Sequence, residues 1–367
     1  MKTKLKVLSV IGTRPEAVKM APVIRELARR AGRVESLVVA TAQHREMLDQ
    51  TLEVFRIVPD IDLDIMRPRQ SLERVTSAVL KGMEKVLREN KPDVLLVQGD
   101  TTTAFAAALA AFHAKVAIGH VEAGLRSFDF WNPYPEEMNR RLVDAMADWC
   151  FAPTARARDN LRKEGVPSNR VFVTGNTVVD AVRYALKKPF RARDCPIAGR
   201  GRLLLVTAHR RENWDQPLSN ICDALRELVE EFADLQIVYP VHLNPRVRRT
   251  VMARLKKVPR VHLIEPVDYL ALLRLMKRAH LILTDSGGIQ EEAPTFGKPV
   301  LVMRKVTERP EAVEAGAAIV VGTDCNRIVS ATRRLLTDAS AYRRMIATAN
   351  PYGDGQAARR IVEILLR

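Results

Sequence analysis

Along the chain, short uninterrupted runs of aliphatic and β-branched residues alternate with longer stretches whose apolar positions recur every three to four residues. KVLSVIG, ESLVVAT, DVLLVQGD, VAIGHVE and RVFVTGN are of the first kind, and SLERVTSAVLKGMEKVLREN is of the second. A continuous apolar run closed by Gly, Thr or an acidic residue predicts a strand buried on both faces. Its alternation with amphipathic helices predicts a parallel sheet covered on both sides. The same order returns in RLLLVTAH, LQIVYPVH, VHLIEPV, LILTDSGG and PVLVMR. Between the two series lies a stretch rich in charge, proline and glycine, roughly residues 186–201, which reads as a linker. The pattern therefore predicts an α/β protein of two doubly wound Rossmann-like domains facing a cleft. Ligands of such sheets bind beyond the carboxyl ends of the strands.

Length agrees, because 367 residues exceed one ordinary core and suit two. Charge narrows the partners: 59 Lys and Arg against 43 Asp and Glu leave a formal +16, which favours anions. The basic residues are spread without a dense arm and aromatics make up only 5%, so a small phosphorylated ligand or a solvated basic surface is expected, and no nucleic acid. The cysteines Cys150, Cys195, Cys222 and Cys325 form no CxxC pair, and the seven histidines form no HExxH spacing. No metal and no redox pair is expected, and the compartment expected is a reducing cytoplasm. No apolar run approaches the eighteen or so residues of a membrane helix, nor the core of a signal peptide, so no membrane partner is expected.

Polar motifs follow the strands. Gly12-Thr13-Arg14-Pro15-Glu16-Ala17-Val18-Lys19 comes directly after the first, with neither Walker A nor GxGxxG spacing. A glycine turn opening a helix offers N–H groups at a positive dipole end, and Arg14 and Lys19 add cationic donors. The segment reads either as an anion site or as a helix start with solvated charges. In Asp285-Ser286-Gly287-Gly288-Ile289-Gln290-Glu291-Glu292, Ser286 is placed to cap a helix. Gly287 and Gly288 allow close approach to a diphosphate, and Glu292 stands where a ribose diol could be met. An ordinary capped helix satisfies the same string. Asp100, Glu122 and Glu136 sit at strand ends or in a proline-bounded loop, where they read as acid/base groups or as ion-pair partners. His209, flanked by Arg210 and Arg211, is a candidate phosphate contact.

Taken together, GTRPEAVKMAPV, TAQHREMLDQ, GDTTTAFAAALAAF, GHVEAGLRS, PEEMNR, VTGNTVVDA, TAHRREN, YPVHLNP, EPVDYL, LTDSGGIQEEAP, ERPEAVEAG and NPYGDGQA resemble the non-hydrolysing UDP-N-acetylglucosamine 2-epimerases, in order and over nearly the whole chain. The resemblance implies a glycosyltransferase-B-like pair of domains. It places the first at 1–172, the second, UDP-binding, at 173–352, and at 353–367 a helix returning to the first. It implies a homodimer without cofactor or metal that interconverts UDP-N-acetylglucosamine and UDP-N-acetylmannosamine, through loss and return of UDP, to supply cell-surface polysaccharide synthesis.

Residue by residue, Asp100, Glu122 and Glu136 resemble the family's catalytic carboxylates, and His209 its motif histidine near the phosphates. Arg14, Lys19, Ser286, Gly287, Gly288, Glu292 and Arg309 resemble its UDP-binding residues. Val267 and Leu272 stand where backbone groups meet uracil. Gln43, His44, Arg69, Gln70, Arg210 and His242 resemble a regulatory substrate site found in some bacterial members. The chain departs from the pattern at Gln98, where His is frequent, and at Glu46, where members with that second site can carry Gln.

Overall fold

The first apolar run becomes β1 (Leu5–Ile11), and Thr13 then starts α1 (Arg14–Arg29). Its hydroxyl accepts from Glu16 N while the Glu16 side chain reaches back to the cap, with Pro15 set in the first turn. The computed structural model describes residues 4–41, 45–65, 70–189, 201–307 and 309–367, the side chains of residues 45–47 excepted. Two compact units emerge, 1–185 with 352–367 and 186–351.

The first unit continues with β2 (Val34–Ala40), α2 (Arg45–Phe55), β3 (Ile61–Asp62), α3 (Leu72–Asn90), β4 (Val94–Gln98), α4 (Thr102–His113) and β5 (Ala117–Val121). Then come α5 (Glu136–Met146), β6 (Trp149–Ala152), α6 (Ala155–Lys163), β7 (Val171–Val173) and α7 (Thr177–Ala185). Among the described residues its strands pair in parallel in the order β3-β2-β1-β4-β5-β6-β7. The alanines of α4 (Ala104, Ala106, Ala107, Ala108, Ala110 and Ala111) are buried, which lets that helix sit close against the sheet between α3 and α5.

The second unit runs β8 (Arg202–Thr207), α8 (Gln216–Glu231), β9 (Leu235–Pro240), α9 (Pro245–Leu255), β10 (Val261–Ile264), α10 (Tyr269–Arg278), β11 (Leu281–Thr284) and α11 (Gly287–Glu292). It closes with β12 (Val300–Val302), α12 (Pro310–Glu314), β13 (Ala318–Val320), α13 (Cys325–Thr337) and α14 (Ala339–Ile346). Its sheet is parallel in the order β10-β9-β8-β11-β12-β13. Leu204, Val206, Leu281, Leu283 and Leu301 on the strands pack against Ile221, Leu225 and Leu228 of α8. Both units are doubly wound, as the apolar pattern predicts, because fully buried parallel strands leave no polar face to interrupt the runs.

The last helix, α15 (Ala357–Leu365), belongs to the first unit and packs on α1 and α7. Ile361, Val362 and Leu365 are buried there. Gln356 gives α15 no side-chain cap, and Asp180 of α7 supplies one by accepting from Ala357 N at 3.2 Å and Ala358 N at 3.1 Å. Among the described residues no helix is long and apolar enough to cross a membrane.

Candidate active site

In each unit the chain winds outward in opposite directions from two adjacent strands, β1 and β4 in the first and β8 and β11 in the second. Side chains that follow such strands meet in the crevice at this switch point, the usual ligand position in an open α/β sheet.

In the first unit Gly12 N and Thr13 N donate to Glu16 Oε2 at 2.9 and 2.6 Å, and Thr101 Oγ1 donates to Oε1 at 2.6 Å. The turn expected to present open N–H groups to an anion thus satisfies them with the carboxylate of its own helix. Gly12 is required by close packing, since a Cβ would stand 2.6 Å from Thr41 Oγ1. Burial pushes the Glu16 carboxyl above its ordinary pKa, against the pull of these hydrogen bonds.

Arg14 begins α1 partly exposed, while Lys19, one turn on, is 8% exposed with its Nζ 2.6 Å from both oxygens of Glu122. Gln98, the last residue of β4, donates to Glu122 Oε2. Glu122 itself, just past β5, adopts φ 69°, a conformation that costs a side-chain-bearing residue about 1–3 kcal/mol. Glu122 N and Ala123 N, both directed to Phe151 O, hold it there.

Asp100 follows Gly99, whose φ of 73° suits glycine. Its Oδ2 accepts from Arg140 Nη2 at 2.5 Å, and its carbonyl accepts from Asn139 Nδ2 at 2.9 Å. Glu136 opens α5 one turn before Arg140. Its neighbour Glu137 is the fully buried carboxylate, receiving Ser127 N, Phe128 N, Arg140 and Arg141. Asp100 and Glu122 therefore stand past adjacent strands, each against a cation, and Glu136 starts the helix that supplies one of those cations.

In the second unit Asp285 is fully buried after β11, and its Oδ2 accepts from His209 N and Arg210 N at 2.9 Å and from Asn213 Nδ2 at 3.0 Å. His209 Nδ1 lies 3.3 Å from Asp285 Oδ1. The His209 ring stacks on His242, with centroids 5.5 Å apart and planes at 16°. Burial pushes the His209 pKa down; Asp285 opposes this, and the charges of His242 and Arg210 reinforce it. A Cβ on Gly287 would lie 3.7 Å from Arg210 Nη2. Arg210 and His242, assigned by resemblance to a regulatory site, thus lie against His209 and Gly287, assigned to the active one.

Ser286 stands at the N-cap of α11 but makes no side-chain cap bond, contrary to expectation. Its N–H donates to Thr284 Oγ1 at 3.0 Å, and its carbonyl accepts from Gln290. Gly288 is exposed, whereas Glu292 is buried, as is Glu291, which pairs with Arg309. Val267 lies between β10 and α10, and the N–H of Leu272 is donated to the carbonyl of Asp268, the N-cap of α10, at 3.0 Å. Gln70, in the first unit, donates to Ile65 O at 3.0 Å. Gln43, His44 and Arg69 fall outside the described residues.

The sequence alone assigns no partner to Glu16, His120, Asp285 or Glu291, although Thr13-x-x-Glu16 is a capping-box spacing that points to Glu16. Asp285 takes its donors from residues more than seventy positions away, which no local spacing reveals.

A family model for UDP-N-acetylglucosamine 2-epimerase matches residues 25–366. The chain belongs to the UDP-N-acetylglucosamine 2-epimerase family. The UDP-N-acetylglucosamine 2-epimerases of Bacillus subtilis (strain 168) and Yersinia pestis are 50% and 52% identical to it. The first match covers 99% of this chain and 95% of the relative, the second 98% of each. The crystal structure of the UDP-GlcNAc 2-epimerase of Neisseria meningitidis bound to UDP-GlcNAc superposes with a TM-score of 0.93 at 48% identity, over 99% of this chain and all of that one. That of the Methanocaldococcus jannaschii epimerase in complex with UDP-GlcNAc and UDP gives 0.84 at 38% identity, over 98% of this chain and 99% of that one.

Proposed function

We propose that this chain interconverts UDP-N-acetylglucosamine and UDP-N-acetylmannosamine by inverting C2 of the sugar. The observation that carries the reading is the placement of Asp100 and Glu122 past neighbouring strands, each against a cation, in a chain whose relatives of about 50% identity are UDP-N-acetylglucosamine 2-epimerases.

Inversion needs the C2 proton removed on one face and returned on the other. That proton is weakly acidic, so its loss is coupled to departure of UDP. A carboxylate takes the proton, the C–H electrons form the C1–C2 double bond, and the C1–O pair leaves with UDP. UDP then returns to C1 of the resulting 2-acetamidoglucal while an acid protonates C2 from the opposite side. No electrons are gained or lost overall, and the product keeps every atom of the substrate except the exchanged proton. Asp100, Glu122 and Glu136 supply the acid and base groups in this reading. In this reading His209, Ser286, Gly287, Gly288, Glu292 and Arg309 of the second unit hold the nucleotide, and Val267 and Leu272 lie by the uracil. The product feeds cell-surface polysaccharide synthesis.

The reading includes a homodimer. It is supported by the exposed Phe112 of α4 and Met138 and Leu142 of α5, which lie on two helices packed side by side.

Proton NMR of UDP-N-acetylglucosamine with the protein in D₂O tests the reaction. The expected outcome is appearance of the manno epimer with deuterium at C2. An unchanged sugar, or release of free N-acetylmannosamine, would overturn the reading in favour of a glycosyltransferase or a hydrolysing enzyme respectively.

A further inference from the structure

His120 lies on β5, two residues before Glu122, and is fully buried. Its Nδ1 is 2.6 Å from Asp144 Oδ1 and its Nε2 is 2.8 Å from the carbonyl oxygen of Gly99. The Gly99 carbonyl can only accept, so Nε2 carries a proton and donates to it; with Asp144 ionised, Nδ1 donates as well and the ring is an imidazolium. Asp144 is equally enclosed. Burial alone would raise its pKa, but the charges and hydrogen bonds of His120 and Arg126 outweigh burial and hold it below the ordinary carboxylate range, which leaves the shared proton on nitrogen. Arg126 Nη2 closes the row, 2.8 Å from Asp144 Oδ2.

We propose that His120 is a positioning residue, a buried imidazolium that grips the Gly99 carbonyl and thereby aims the Asp100 carboxylate. The grip matters because Gly99 is the hinge of the turn. Without a Cβ, Gly99 adopts its φ of 73° unstrained and does not by itself fix the direction in which the chain leaves β4, and that direction sets where Asp100 points. Gly99 N is held by Val121 O at 3.1 Å and Asp100 O by Asn139, so His120 Nε2 supplies the hold on the remaining peptide oxygen between them. An imidazolium donor makes a stronger hydrogen bond than a neutral one. Its positive charge is balanced by Asp144 on the side away from Gly99.

This inference rests on the assignment of Asp100 to the chemistry, and the experiment separates the two. Asn places its amide nitrogen where His has Nδ1, and Gln places it where His has Nε2. His120→Asn keeps a donor toward Asp144 and loses Gly99; His120→Gln keeps a donor toward Gly99 and loses Asp144. With UDP-N-acetylglucosamine as substrate, His120→Asn is expected to lose about 10- to 100-fold in kcat, the scale of a misplaced catalytic group, with KM within about twofold. His120→Gln is expected to turn over several-fold faster than His120→Asn. Equal loss in both variants, or loss in neither, overturns the proposal, the first outcome marking a merely structural histidine. Asp100→Asn, run alongside, reports on the underlying assignment: normal turnover there sinks that assignment whatever His120 does. Should His120→Asn fail to fold, the ¹⁵N spectrum of the wild-type ring decides. Protons on both nitrogens are expected, and an unprotonated nitrogen overturns the proposal.

Discussion

At the scale of single residues, the buried charges around the candidate site of the first unit meet opposite charges. Lys19 and Glu122 are both under a tenth exposed and share two contacts of 2.6 Å. Breaking a buried pair leaves an uncompensated charge, so Lys19→Met should destabilise the first unit by about 3–5 kcal/mol. Urea denaturation followed by circular dichroism measures this, and an unchanged midpoint would mean that Glu122 does not depend on that cation. The carboxylates carry a different expectation. Replacing Asp100, Glu122 or Glu136 by its amide keeps size but removes the base, and turnover should fall by roughly 10²- to 10⁴-fold. UDP affinity, measured by calorimetry, should barely move, since the nucleotide is read as held mainly by the second unit. Normal turnover in all three variants would place the chemistry elsewhere.

At the scale of elements, the seam between α7 and α15 ties the last residues of the chain to the first unit. Asp180 is the cap on that seam, and burial pushes its pKa up to about 6, against the two backbone N–H groups that favour the carboxylate. The folded state therefore binds this proton more tightly than the unfolded chain. The gain is complete below the ordinary aspartate value of about 4 and is lost as pH rises through 6. Relative to Asp180→Asn, which has no such proton, the wild type should lose up to roughly 3 kcal/mol of stability between pH 4 and pH 6.5. Paired urea titrations at the two pH values read the difference, and a pH-independent gap would show that Asp180 binds its proton equally in the folded and unfolded chain.

At the scale of the whole molecule, a net charge of +16 disfavours association through charged surface, so the second copy proposed above is expected at an uncharged face. Phe112 on α4 and Met138 and Leu142 on α5 are exposed apolar side chains of the first unit and are the candidates for it. Met138→Glu combined with Leu142→Glu should shift the sedimentation coefficient from dimer to monomer. A double variant sedimenting with the wild type would locate the interface elsewhere or show that the wild type is itself monomeric.

The period of the apolar residues by itself determined the class of fold, because parallel strands covered on both faces must be apolar throughout and their helices amphipathic. It also placed the polar motifs at strand ends, since a strand stops where its apolar run stops. Which partners those motifs meet was decided only in three dimensions. The Gly12 turn reads locally as an open anion site, and folding brings Thr101 from a distant strand end to share Glu16 with it. Ser286 reads as a cap, yet it is Asp285 beside it that gathers the His209 turn. His120 looks like one more polar residue in a strand until Gly99 and Asp144 arrive from neighbouring elements, some twenty residues away in either direction. Local spacing sets periodicity and caps through contacts within a turn or two. The charge state and aim of a buried side chain depend on groups the sheet brings together across dozens of residues, and only the folded arrangement of strands specifies those.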